Sequence, residues 1–211
     1  MDIANANSPI LCLVTNRNRT SRRDLGTIVS DAISGGVNMI QFRDKDMEGP
    51  EKLEMAINLR GLTKDKAIFV VNGDVDLAKQ VGADAIHFPE NMISGIDFQE
   101  LKKDFIIGKS VHSFDAATKA YFEGMDYLTV GTIFPSVSHP NGEVSGPEII
   151  GDVTKNLSIP VIGIGGISSE NCIEVMKAGA AGVAVIGAIS EAVSPKSAAH
   201  DIFEILESSI V

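Results

Sequence analysis

Apolar, β-branched runs recur along the chain at residues 10–15, 37–42, 67–72, 83–88, 105–108, 127–130, 159–164 and 182–186. They are nearly continuous rather than alternating, which is the pattern of strands covered on both faces of a parallel sheet. The stretches between them carry helical spacing, as in Leu25, Ile28, Val29, Ala32 and Ile33, or Ile173, Val175, Met176 and Ala178. Glycines stand where these helices should stop, at Gly35-Gly36, Gly82, Gly124 and Gly179, each just ahead of the next strand. Three such junctions nearly repeat one another: Val81-Gly-Ala-Asp-Ala-Ile86, Phe122-Glu-Gly-Met-Asp-Tyr127 and Lys177-Ala-Gly-Ala-Ala-Gly182. The repeated unit is helix, glycine turn, strand. About eight such units predict one α/β domain over residues 1–211, a closed (β/α)8 TIM barrel, with residues 1–8 as a loose N-terminal extension. An open doubly wound sheet is the competing topology. Its first strand–helix turn would carry GxGxxG, whereas residues 15–21 read Thr-Asn-Arg-Asn-Arg-Thr-Ser.

Composition narrows the class. At this length a single core buries roughly 70% of the surface of the unfolded chain, so neither a disulfide nor a metal is needed for folding. Lys plus Arg number 18 against 28 Asp plus Glu, a net charge of −10. That balance argues against nucleic acid or an anionic membrane surface as the main partner, and a phosphorylated ligand would need a local pocket of donors. Cys12 and Cys172 lie far apart, without CxxC or Cys/His spacing, which fits a reducing cytosol better than a disulfide framework or a zinc site. No positive charge precedes the first apolar run, and no run approaches the ~18 residues of a membrane span. A cytoplasmic protein is the expectation.

In such a barrel the reactive groups sit at the C-terminal ends of strands, so polar residues that end apolar runs are the candidates. Gln41, Arg43 and Lys45 share one side of the chain by strand alternation, and Phe42 and Asp44 take the other. Their donors suit a diphosphate, and equally a solvated loop. Strand three ends in Asn72-Gly73-Asp74-Val75-Asp76, and strand four in His87-Phe88-Pro89-Glu90-Asn91. Carboxylates there suit Mg2+, but Asp74 and Asp76 suit a helix cap or first turn as well. His87, inside an apolar run, reads as a core histidine.

Strand five leads into Lys109-Ser110-Val111-His112-Ser113, and strand six into the longest irregular stretch, 131–142. There Ser136, Ser138 and His139 suit a loop that closes over a phosphate, or a plain surface loop. Gly165 and Gly166 after strand seven, and Gly187 after strand eight, leave backbone N–H groups bare beside helix starts, an arrangement that binds phosphate monoesters.

Taken in order, these segments resemble the family of thiamine phosphate synthase and TenI, the thiazole tautomerase. The likeness runs from Leu13-Val-Thr15 through Gln41-Phe-Arg-Asp-Lys45, Val75-Asp-Leu-Ala78, Gly82-Ala-Asp-Ala-Ile-His87, Ser110-Val-His-Ser113, Val130-Gly-Thr-Ile-Phe-Pro135 and Ile159-Pro-Val-Ile-Gly-Ile-Gly-Gly-Ile167 to Gly182-Val-Ala-Val185. It implies a (β/α)8 barrel. For the synthases it implies the joining of hydroxymethylpyrimidine diphosphate to hydroxyethylthiazole phosphate, with release of diphosphate. By resemblance, Gln41, Arg43 and Lys45 grip the pyrimidine diphosphate, with Asn72 and Ser110 beside it. Ser136, Ser138 and the loop position held by His139 face the leaving diphosphate, and Gly165, Ile186 and Gly187 take the thiazole phosphate. A homo-oligomer is also implied.

The chain departs from that pattern in places. The synthases carry Asn-Asp after strand three and a further Asp after strand four, which together hold Mg2+. Here the segments read Asn72-Gly73 and Pro89-Glu90-Asn91-Met92, closer to TenI, and leave Asp74 or Glu90 as neighbouring positions for a metal. His139 replaces a loop lysine of the synthases, and Thr132 stands where TenI has its catalytic histidine. Synthase chemistry is the leading expectation because segments 41–45 and 134–139 follow that pattern. A thiazole tautomerase comes second, and a non-catalytic thiazole- or thiamine-phosphate-binding protein third.

Overall fold

In the computed structural model, which describes residues 3, 8–44, 46–92, 95–137 and 143–209, the eight expected strands are all present and parallel. They are β1 (Ile10–Val14), β2 (Met39–Phe42), β3 (Ile68–Asn72), β4 (Ala85–Phe88), β5 (Ile106–Val111), β6 (Tyr127–Val130), β7 (Val161–Ile164) and β8 (Gly182–Val185). Each pairs with the next, and β8 returns to β1 to close the barrel. At that seam Ile10 stands opposite Gly182, and a Cβ at residue 182 would overlap the Ile10 carbonyl. Closure brings the two backbones too near for any side chain but hydrogen.

The helices α1 (Leu25–Ser34), α2 (Gly49–Thr63), α3 (Val75–Val81), α4 (Phe98–Leu101), α5 (Phe114–Phe122), α6 (Glu148–Asn156), α7 (Cys172–Lys177), α8 (Gly187–Ser190) and α9 (Pro195–Ser208) cover the outside. Strand residues therefore have two apolar destinations. Ile10, Cys12, Met39, Ile68, Val70 and Ala85 fill the barrel, while Leu11, Leu13, Ile40, Phe69, Val71 and Ile86 pack beneath the helices. This double burial is why the runs are continuous in sequence.

Several boundaries differ from the sequence pattern. Strands two, three, four and seven begin one or two residues later than their apolar runs, and β5 continues three residues further, through Val111. Ser110 is thus part of a strand rather than of the loop after it. Ile3 is only 5% exposed and belongs to the interior cluster with Ile10 and Ile68, because an apolar side chain gains by leaving water. Cys12 and Cys172 are free and buried, and burial pushes the Cys12 thiol up to about 12. Among the described residues no helix is long and apolar enough to cross a membrane.

The repeated Gly-x-Asp junction has a structural cause. Asp84 accepts from the Phe69 N–H through its carboxylate at 2.8 Å and donates its own N–H to the Phe69 carbonyl at 2.9 Å. Asp126 does the same to Ile107, at 2.8 Å in both directions. Each closes a ring of hydrogen bonds across the lower edge of two strands, and each is clamped from outside, Asp84 by both Arg60 guanidinium nitrogens and Asp126 by Lys102. In the third junction Ala181 keeps only the backbone half, donating to the Val161 carbonyl.

Asp84→Ala strands the Phe69 N–H and unpairs Arg60, a loss of about 1–3 kcal/mol. In a chain of this size that lowers Tm by roughly 2–4 °C per kcal/mol. Thermal melting of the variant beside the parent checks it, and an unchanged Tm would show that the junction is idle.

Candidate active site

Polar residues gather where the apolar filling of the barrel ends. Register places Asn72 beside His87, His87 beside Gly108, and Gly108 beside Tyr127, so one row crosses β3, β4, β5 and β6. Two residues above Gly108 on β5 comes Ser110, on the same side of the strand. Gln41 lies on the interior face of β2, two residues above Met39, and is 5% exposed. Its amide Nε2 donates to Asn72 Oδ1 at 3.0 Å, which fixes the orientation of both amides. His87 Nε2 meets Ser110 Oγ at 2.8 Å, and Nδ1 meets the Tyr127 hydroxyl at 3.1 Å. His87 is therefore a satisfied core histidine, as its place in an apolar run suggested, and it is also bonded to a residue expected in the site.

Arg43 follows β2 at the same rim. Its backbone N–H is held by Thr15 Oγ1 at 3.0 Å, which ties the end of β2 to the end of β1. Burial lowers the basicity of its guanidinium, the neighbouring Asp44 carboxylate opposes this, and the group remains a cation at neutral pH. Asp44 itself turns to Arg17, accepting from its backbone N–H at 3.1 Å and lying 3.7 Å from Nε. Among the described residues no carboxylate forms an ion pair with Arg43. His87, fully buried, is pushed down to about 3, chiefly by burial and then by the charge on Arg43. Its imidazole is neutral at any physiological pH.

Across the same rim lie Gly165, Ile186 and Gly187, all half-buried, at the ends of β7 and β8. The segment after β6 is zipped onto the glycine turn after β7. Ile133 donates to the Ile164 carbonyl and Phe134 to that of Gly165, each at 3.0 Å. Gly165 has φ +103° and Gly166 φ +64°, and a Cβ on either would collide with residues 132–135. Glycine is required there by close packing as well as by backbone angle. Ser136 stands half-buried in this segment, while Lys45, Ser138 and His139 lie outside the described residues.

Two contributors were missed in the sequence. Thr15 obeys the same rule of a polar residue ending an apolar run, applied one strand too late. Arg19, from the segment set aside for lacking GxGxxG, reaches the start of α8, where a Cβ at Gly187 would meet its guanidinium. Its Nε donates to Glu191 at 2.8 Å, and this hydrogen bond is the main cause of the lowered Glu191 pKa, against the opposing effect of burial.

A divalent cation does not fit the residues present at the corner between β3 and β4. Gly73 offers no ligand, and the point where its Cβ would stand lies 3.9 Å from both Met92 Cε and Pro89 Cδ, which are apolar. Asp74 caps α3, accepting from Leu77 N at 2.9 Å, and pairs with Lys52 at 2.7 Å. Together with the Lys52 charge, these bonds hold its carboxyl below the usual range despite the opposing effect of burial, the largest single influence. Glu90 is occupied by the backbone N–H of His112 at 2.8 Å and by its Nδ1 at 2.6 Å. Among the described residues no group of three acidic, histidine or cysteine side chains is placed to hold a metal.

The TMP-TENI family model, described as thiamine monophosphate synthase, matches residues 11–189. A thiamine-phosphate synthase of Chlorobium limicola is 38% identical over 206 residues, covering 96% of each chain. One of Haloquadratum walsbyi is 40% identical over 192 residues, covering 88% of this chain and 86% of the other. Among solved structures, a thiamine phosphate pyrophosphorylase from Pyrococcus furiosus superposes with a TM-score of 0.88 at 32% identity, covering 97% of this chain and 98% of that one. The chain belongs to the thiamine monophosphate synthase family.

Proposed function

We propose that this chain is a thiamine-phosphate synthase, transferring hydroxymethylpyrimidine from its diphosphate to hydroxyethylthiazole phosphate. One observation carries the reading. The half-buried Arg43 guanidinium, with no carboxylate partner among the described residues, shares a rim with a fixed set of amide and hydroxyl groups, Gln41, Asn72 and Ser110. Amides and a hydroxyl suit the edge of a flat nitrogen heterocycle, and a guanidinium suits a departing diphosphate. Similarity to synthases over nearly the whole chain supports the same assignment.

In this reaction the bond between the pyrimidine methylene and the diphosphate oxygen breaks, and its electron pair leaves with the oxygen. The thiazole nitrogen then donates its lone pair to the methylene cation. Forming that bond moves no proton, so the protein has to align the two substrates, stabilise the departing charge and exclude water. Arg43 meets the leaving group. Lys45, Ser136, Ser138 and His139 are assigned beside it by resemblance, and the turns at Gly165 and at Ile186-Gly187 receive the thiazole phosphate. A tautomerase is the second reading, favoured by the apolar corner at Gly73, Pro89 and Met92.

Purified protein given both substrates, once with Mg2+ and once with EDTA, should form thiamine phosphate and diphosphate in equal amounts in at least one condition. No product in either overturns the reading. Isomerisation of thiazole carboxylate phosphate would then point to the tautomerase, and tight thiazole phosphate binding without turnover to a binding protein. Arg43→Ala is expected to lower kcat/KM by about 10²–10³-fold, the range for removing one preorganised donor to developing negative charge. Arg43→Lys should recover only part, since a point charge replaces a bidentate fork.

A further inference from the structure

Tyr127 starts on β6, yet its hydroxyl bonds a residue of β4. It reaches there by lying across β5 at Gly108, where a Cβ would overlap the phenol ring. The ring is 1% exposed and its centroid is 5.6 Å from that of His87. Tyr127 Oη, His87 Nδ1, His87 Nε2 and Ser110 Oγ thus form one chain of contacts, running from the sealed interior to the half-buried rim.

We infer that this chain is a hydrogen-bond relay with a single polarity, which holds the Ser110 hydroxyl as a donor facing the mouth of the barrel. The argument is a count of protons. A neutral imidazole has one N–H and one bare nitrogen. If Nδ1 carried the proton it would donate to the phenol, and the Tyr127 O–H, whose hydrogen bond among the described residues is to His87 alone, would be left buried without an acceptor there. An orphaned buried donor costs about 1–3 kcal/mol. If Nε2 carries the proton, the phenol donates to Nδ1, Nε2–H donates to Ser110 Oγ, and the remaining proton is on Ser110 at the rim, where water or a ligand accepts it. Only the second arrangement leaves no buried donor unpaired. The burial that keeps His87 uncharged preserves it across the physiological pH range.

Tyr127 and His87 are positioning residues in this scheme, and donation along the chain strengthens the next bond in turn. The ligand atom opposite Ser110 must then be an acceptor, such as an unprotonated ring nitrogen. That consequence rests on the proposed function, whereas the polarity of the relay does not.

Nitrogen-15 NMR of histidine-labelled protein at pH 7 tests the polarity without any substrate. The expected His87 signature is a protonated Nε2 and a bare, hydrogen-bonded Nδ1, unchanged at pH 5; a protonated Nδ1 overturns the relay. In Tyr127→Phe, a nearly isosteric change, the Nδ1 resonance should move to the position of an unbonded imidazole nitrogen, and an unmoved resonance also overturns it. Kinetics then test positioning. Tyr127→Phe should raise KM for the pyrimidine substrate about 3- to 10-fold, the worth of one hydrogen bond, with kcat changing less. In a Ser110→Ala background the same change should add nothing, because its route to the substrate is gone. An equal loss in both backgrounds would assign Tyr127 a merely structural part. The NMR result stands even if the parent protein makes no thiamine phosphate, so failure of the relay and failure of the proposed function are told apart.

Discussion

Strict alternation of side chains along eight closed parallel strands is the constraint on which the site depends. In such a ring every second residue points into a narrow interior, and a slip of one residue would send each of them under the helices instead. Met39 and Gln41 share the inward parity on β2, as do Ile68, Val70 and Asn72 on β3, Ala85 and His87 on β4, and Ile106, Gly108 and Ser110 on β5. The lower positions of each strand are apolar and fill the ring. The upper ones are polar and form the rim. The site is thus the last layer of the interior, written with different residue types.

That logic explains what was legible in the sequence. The eight strands could be seen because burial on both faces makes each run continuous, but a continuous run has no internal marker for its ends, which is why β5 was cut short before Ser110. Gln41, Arg43 and Asn72 were found by asking which polar residues end apolar runs. Asp84 and Asp126 were visible as a repeat, yet their role was not, since the partner of Asp84, Phe69 N–H, is a main-chain group 15 residues away. Tyr127 was invisible as anything but core. Its link to His87 exists only through the register of three strands and the missing side chain at Gly108.

The acidic composition takes on a different meaning at the rim. Four carboxylates near the mouth are occupied: Asp44 by Arg17, Asp74 by Lys52 and the start of α3, Glu90 by His112, and Glu191 by Arg19. Each of these pairings removes a negative charge from competition for Arg43. A net charge of −10 would repel a diphosphate if it were spread evenly over the face. Local pairing leaves Arg43 without a carboxylate partner among the described residues, which on the proposed reading keeps it open to an incoming anion at the modest cost of holding a partly desolvated cation.

The corner at Gly73, Pro89 and Met92 completes that argument. A pair of carboxylates there would have to be matched by a cation or else add negative charge beside the proposed anion site. Glycine, proline and methionine add none, so on the proposed reading neutralising an anion at this rim falls to side-chain donors. Those donors work best if they need no rearrangement when charge develops. Two features supply that rigidity: the Thr15 hydroxyl anchors the backbone of Arg43, and the Gln41–Asn72 bond locks both amides. Rigidity built from neighbouring strands is what a barrel rim offers that a surface loop does not.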